Sequence, residues 1–364
     1  IRDYYHKWYR PDLQGIVIVG DIDVDAVEAK LKAVFADVQK AVNPAERVYY
    51  PVADNKEPIV AIGTDKEVDD PSIEVYFKQD ATPDSEKNNV GYLASQYMTS
   101  MITSMLNARL SELTQSANPP FNRAYSSYGN FFVAKTKEAL NLSASSKANG
   151  IEEALKVLLQ EAERARRFGF TESEYARARA NYLQRLESAY NEREKTKHGS
   201  YVREYVRNFL DAEPIPGIET EYAMMNQLAP NLPVQAINMA IQQLVPDSNQ
   251  VVIIAGPEKE GLKYPQKEEV IALLKGMKSL DLQPYVDKVS DEPLMKEAPK
   301  GGKIVSEKEG EIYGSTKLVL SNGVTVYIKK TDFKADEIRM KATSLGGKSL
   351  FPDKDALNFA VMDN

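Results

Sequence analysis

Two histidines, His6 and His198, and no cysteine make up the imidazole and thiol chemistry of this 364-residue chain. Disulfides, thiolate nucleophiles and Cys-ligated zinc are therefore excluded. His198 stands four residues after Glu194, a spacing that on one helix lets both side chains touch a single ion. A zinc site takes at least three protein ligands, usually with more than one His or Cys. The pair therefore reads as a solvated helix face, and His6, among Tyr4, Tyr5 and Trp8, as a helix residue at a packing surface. Asp21-Ile22-Asp23-Val24-Asp25 begins like a calcium loop, yet such a loop needs Gly where Ala26 stands and an acid where Lys32 stands. Asp25 with Glu28 fits a helix capping box instead. Gly346-Gly347-Lys348-Ser349 ends like a phosphate loop, but Ala342 occupies the position of its first Gly, and a tight turn after a strand accounts for it. Asn118-Pro119-Pro120-Phe121 suits a peptide-binding loop and a helix terminator equally.

The elements that must position these residues belong to an ordinary globular chain. Hydrophobic residues make up 43% and charged residues 27%, and the length suggests two to three domains or one large one. A net charge of −7 supplies no concentrated basic surface, and the short run Arg164-Ala165-Arg166-Arg167 is flanked by Glu161 and Glu163, so no nucleic-acid partner is expected. No apolar run is long enough to span a bilayer. The aromatic residues from Ile1 onward lack a polar cap ahead of them, and a helix-like pattern begins at Ala356 and stops at Asn364, so the chain reads as an internal piece of a longer protein.

A pattern occurs twice: a helix end at Arg10-Pro11-Asp12, an apolar strand over residues 16–19 closed by Gly20, then an amphipathic helix over 26–35. It returns as a helix over 237–244, a strand over 251–256 and a helix over 268–277. Two domains are thus expected to close in the same way, near residues 50 and 285. Between them, strands are predicted over 58–62, 72–78, 123–128 and 139–144, and helices over 90–113 and 151–168. Gly169 is placed to end the second helix, and Thr171-Glu172-Ser173-Glu174 is a capping box for the next. Residues 284–310, with Pro293, Pro299, Gly301 and Gly302, have the composition of an exposed connector, and Asn322-Gly323 is a hairpin turn between two alternating strands.

Several of these pieces together resemble the pitrilysin/insulinase peptidases. Tyr9-Arg10-Pro11-Asp12 with residues 16–23 is similar to a Y-R-P-x…V-V-V-G-D-x-D segment of that family. Leu106-Asn107-Ala108-Arg109-Leu110, Ala124-Tyr125-Ser126, and Thr171-Glu172-Ser173-Glu174 followed by Ala178-Arg179-Ala180-Asn181-Tyr182-Leu183 look like its non-catalytic domain. Leu320-Ser321-Asn322-Gly323-Val324-Thr325-Val326 resembles the L-x-N-G-x-x-V that opens a further domain. In the family's catalytic domain a helix then carries H-x-x-E-H, in which two His bind zinc and Glu is the general base. The corresponding positions here read Asn358-Phe359-Ala360-Val361-Met362. Val361 cannot move a proton, and the amide of Asn358 and thioether of Met362 are poor substitutes for imidazole on zinc.

The resemblance implies an α+β protein of repeated domains, each a mostly antiparallel twisted sheet with helices packed on one face. It implies that residues 1–50 are the tail of a first, catalytic domain, 51–285 a complete non-catalytic second domain, 286–310 a linker, and 311–364 the start of a degenerate third domain. The whole protein would be a zinc-dependent endopeptidase that encloses and cleaves peptides. Its Zn2+ ligands would lie upstream of Ile1, with no metal or catalytic residue in this segment, which supplies chamber wall and hinge. Its partners would be peptide substrates and the missing N- and C-terminal domains, and its compartment the periplasm or cell envelope of a bacterium. A non-catalytic peptide-binding scaffold or subunit is the alternative. Tyr76, Tyr92, Tyr97, Tyr125 and Tyr128 fall in the middle domain and admit two readings, chamber lining or core and sheet residues; Tyr125 and Tyr128 are the chamber candidates.

Overall fold

The apolar runs that begin at Ile59 and Val251 are strands, and they lie side by side in one sheet although far apart in sequence. In the computed structural model, residues 1–289, 292–293, 295–310, 313–334, 337–355 and 357–358 are described. They form two compact units, Ile1–Lys296 and Glu297–Asn364. The first unit runs α1 (Arg2–Trp8), α2 (Val24–Val34), β1 (Ile59–Asp65), β2 (Ser72–Asp80), α3 (Val90–Thr114), β3 (Arg123–Asn130), β4 (Lys137–Ser145), α4 (Ile151–Phe168) and α5 (Glu172–Asn191). It continues with α6 (His198–Asp211), α7 (Ile218–Asn231), α8 (Val234–Leu244), β5 (Gln250–Pro257) and α9 (Lys267–Gly276). The sheet order is β1-β5-β2-β4-β3, parallel only between β1 and β5. The second unit holds β6 (Ile304–Glu309), β7 (Thr316–Leu320) and β8 (Thr325–Ile328), an antiparallel sheet in that order.

The core lies between one face of the five-stranded sheet and the helices. Ile73, Val75 and Phe77 of β2, Leu140 and Leu142 of β4, and Val252 and Ile254 of β5 meet Met101, Ile102, Met105 and Leu106 of α3 in a single buried cluster. Ile151, Ala154, Leu155, Leu158 and Ala162 of α4 join it, the positions its sequence period selects. Burial of each large side chain there contributes about 1.5–3 kcal/mol. The α+β class, a mostly antiparallel sheet with helices on one face, is as expected. The Thr171–Glu174 capping box forms, with the Thr171 side chain accepting from Glu174 N and the Glu174 side chain accepting from Thr171 N.

Two local expectations are corrected. Residues 16–19 form no strand and pair with none among the described residues, because neither sheet supplies a neighbouring ladder. Ile16 and Ile18 stay 57% and 48% exposed, while Val17 and Val19 are half-buried. The cap of α2 is Asp23, whose Oδ1 accepts from Ala26 N at 3.0 Å; Asp25 falls inside the first turn, where its charge complements the helix dipole but closes no box.

The end of the first unit is strapped to its helices. Gln283 O accepts from Arg164 Nη1 at 2.9 Å, the Tyr285 hydroxyl donates to Glu112 Oε1 at 2.7 Å, and Asp287 Oδ2 accepts from Arg177 Nη1 at 2.8 Å. The Arg177 bond holds the Asp287 carboxyl below the usual carboxylate range. Residues 304–309, inside the stretch read as connector, are strand β6, because Lys303 and the β7 hairpin offer it a ladder. Exposed residues 295–303 lie between strap and strand. Limited proteolysis is expected to cut there first and to spare residues 281–289, since cleavage follows exposed and unbonded backbone. Tyr285→Ala should open a second early site in the strap; an unchanged pattern in that variant would show that the strap is held by other contacts.

Candidate functional site: the open face of the sheet

Because strand side chains alternate, the sheet's second face carries a different set of residues from the one that packs on the helices. Register places Ala61, Ile253, Glu74, Ser143 and Tyr125 in one row across the five strands. The neighbouring row is Ile59, Val251, Tyr76, Asn141 and Ser127. The face is thus apolar over β1 and β5 and polar over β2, β4 and β3.

Glu74 is the centre of the polar half. Its Oε1 accepts from Ser143 Oγ and its Oε2 from Asn141 Nδ2, both at 2.7 Å. The Tyr76 hydroxyl is pushed up to about 12, first by burial and then by the Glu74 carboxylate. The Tyr76 ring is fixed from its other side by Phe131, edge-on at 5.4 Å between centroids, and by Phe132 at 5.1 Å. Phe132 takes φ 53, in the left-handed region that a bulky side chain rarely enters. That turn at the end of β3 folds the two rings back over the face.

Beyond Tyr76 the face ends in a clamp. Lys78 Nζ donates to Ala53 O at 2.8 Å, and Lys137 Nζ donates to Asp54 at 2.6 Å and Asp80 at 2.5 Å. Burial pulls the Lys78 ammonium down, with Lys137 adding to the effect. For Lys137 burial acts the same way, but Asp54 and Asp80 outweigh it and its pKa is raised. Together with Val52 N to Thr136 Oγ1 and Asn55 N to Asn249 Oδ1, these bonds hold residues 52–55 across the strand ends.

The two tyrosines singled out from sequence fall on opposite faces, as three residues of separation on a strand dictate. Tyr125 is 53% exposed on the open face. Tyr128 packs on the core side, where its hydroxyl donates to Glu138 Oε2 at 2.8 Å, and burial, then Glu138, raise its pKa. Glu74, Asn141 and Ser143 were not singled out. The alternation in Ser72-Ile73-Glu74-Val75-Tyr76 was a signal for them, but their meeting depends on pairing with β4, which sequence does not give.

The face thus combines a fixed carboxylate, aromatic rings and an apolar flank. Among the described residues no group of three or more His, Cys, Asp or Glu is placed to hold a metal ion. His6 is exposed on α1; His198 opens α6 while Glu194 lies in the preceding 3-10 turn, so the two do not share one helix. Asn358 is exposed, and Val361 and Met362 lie outside the described residues. The amide of Asn358 and the thioether of Met362 are a donor set that does not fit zinc. No described helix is long and apolar enough to cross a membrane.

Comparison with known proteins agrees with this picture of a non-catalytic domain. The chain is 26% identical over 99% of its length to a zinc protease PQQL-like protein of Arabidopsis thaliana and 23% identical over 97% to the probable zinc protease PqqL of Escherichia coli. It spans about a third of those relatives, 34% and 37% of their lengths. The crystal structure of the periplasmic protease PqqL from Escherichia coli superposes with TM-score 0.68 at 22% identity, over 91% of this chain and 36% of that one, so the fold is shared. Residues 1–182, half of the chain, match the family described as peptidase M16 inactive domain. The chain therefore belongs to the M16 peptidases, the insulinase/pitrilysin family, and carries that family's inactive domain.

Proposed function

We propose that this chain is the non-catalytic middle of a zinc-dependent endopeptidase, whose open sheet face forms a wall of the chamber that receives peptides. The observation that carries this reading is the face itself: one side of the sheet is packed by helices, while the other presents Glu74 and Tyr76, both half-buried, and Tyr125, 53% exposed. On this reading residues 1–50 complete a catalytic domain, 51–285 form the wall domain, the exposed residues 295–303 within the 286–310 stretch connect the halves as a hinge, and β6 with residues 311–364 begins a degenerate third domain. The break between Lys296 and Glu297 supports a connector in that stretch. Tyr125 serves as chamber lining, and Tyr128 acts from behind the sheet by fixing Glu138. Zinc, held by residues ahead of Ile1, supplies the activated water in such enzymes; this chain orients the peptide. The periplasm is the compartment this reading carries over from the Escherichia coli protein.

The test is hydrolysis of a library of unstructured peptides. The chain alone should be inert, and should stay inert when Asn358→His, Val361→Glu and Met362→His are combined, because a further carboxylate ligand is also needed. The protein extended as its relatives are should cleave, lose activity to a chelator and regain it with zinc. An extended protein that binds peptides but never cleaves them with zinc loaded would instead make this a peptide-binding scaffold.

A further inference from the structure

We propose that Glu74, with Tyr76 and Tyr125 beside it, is a subsite for one basic side chain, Lys or Arg, of an extended peptide; this rests on the reading of the open face as a peptide-facing wall. Both oxygens of Glu74 are occupied by neutral donors, Asn141 and Ser143. Those bonds fix the carboxylate without neutralising it. No ion pair joins Glu74 to Lys, Arg or His among the described residues, whereas the lysine clamp of the same face is matched: Lys137 by Asp54 and Asp80, Lys78 by a backbone carbonyl. A rigid, half-buried negative charge is thus left facing outward beside the apolar flank of Val251 and Ile253, where charge interactions are stronger than in water.

Its surroundings select the kind of cation. Tyr125 lies in the row of Glu74 two strands away, about 10 Å, and Tyr76 is the next outward residue on the same strand. The exposed Tyr125 ring suits the face-on approach of guanidinium or ammonium, and the Tyr76 ring, held by Phe131 and Phe132, walls the carboxylate on the strand side. A long stem reaches the floor between them while its backbone stays above Tyr125. A divalent metal would find a single anionic ligand here, too few for calcium or zinc.

The experiment measures binding of the 364-residue chain to short unstructured peptides, blocked at both termini and identical except for Arg, citrulline or Glu at one position. Arg should bind about tenfold more tightly than its neutral isostere citrulline, Glu more weakly than citrulline, and added salt should compress the series. Glu74→Gln should abolish the Arg preference with an unchanged melting curve. Tyr125→Ala, at an exposed position that does not threaten folding, should weaken Arg binding about threefold and so carries the test if Glu74→Gln fails to fold. Equal binding of all three peptides, or a preference indifferent to Glu74→Gln and Tyr125→Ala, overturns the subsite and leaves the wall standing. Binding of no peptide at all overturns both.

Discussion

Glu174→Ala should destabilise the first unit by about 3–5 kcal/mol, because it strands a buried guanidinium. Arg109 Nε donates to Glu174 Oε1 at 2.7 Å and Nη2 to Oε2 at 2.9 Å, with side-chain exposures of 1% and 3%. Nη2 also donates to Gly169 O at 3.0 Å, and the guanidinium lies over the Phe170 and Tyr285 rings at 4.8 and 4.3 Å from their centroids. Nη1 has no hydrogen-bond partner, so Glu174, which takes two of the guanidinium's bonds and carries the opposite charge, is the main offset to the desolvation of Arg109. Glu174 also accepts from Thr171 N at 2.8 Å, so its loss uncaps α5 as well. Replacing both members together, Arg109→Met with Glu174→Leu, should cost clearly less than the sum of the single changes. Urea unfolding of the four proteins measures this cycle. Single losses below about 1 kcal/mol, the range of surface pairs, would mean that water reaches the pair.

The second large effect is expected at Gly169, which closes α4 with φ 71 and ψ −160. That backbone region is essentially closed to residues with a Cβ. A Cβ built there would also lie 2.4 Å from Asn238 Cγ. Asn238 has little room to yield, since it accepts from Phe170 N at 2.8 Å and donates to Phe170 O at 3.1 Å. Strain and overlap together predict a loss of about 3 kcal/mol for Gly169→Ala. Gly129→Ala is the control, with no atom within 4 Å of its added Cβ and no positive φ. Comparable melting temperatures for the two variants would falsify the argument.

Local order was legible wherever it depends on neighbours in sequence. The span of α4, its buried face, its stop at Gly169 and the capping box of α5 all follow from residues within a turn or two of one another. So does the β7–β8 hairpin, whose Gly323 takes φ 85. The expectation that Asn358, Val361 and Met362 make no zinc site likewise rests on residue type alone, since amide, alkyl and thioether groups are poor replacements for imidazole and carboxylate. Misreadings came where two local answers were nearly equal, as with Asp23 against Asp25 for the cap of α2.

What tertiary structure alone decided is which distant residues meet. Strand identity in residues 16–19 failed because a strand is a relation to a neighbour, and apolar composition cannot supply the neighbour. The parallel seating of β5 beside β1 set the apolar half of the open face. The register of β2 against β4 brought Asn141 and Ser143 to Glu74, and a slip of one residue would have turned all three toward the helices. Arg109 and Glu174 meet across α3 and α5 for the same reason. Sequence determined the helices, their caps and the hairpin because those rest on residue type and short spacing; the open face and the buried pair required the fold because they rest on pairing and packing, which are set by the whole chain at once.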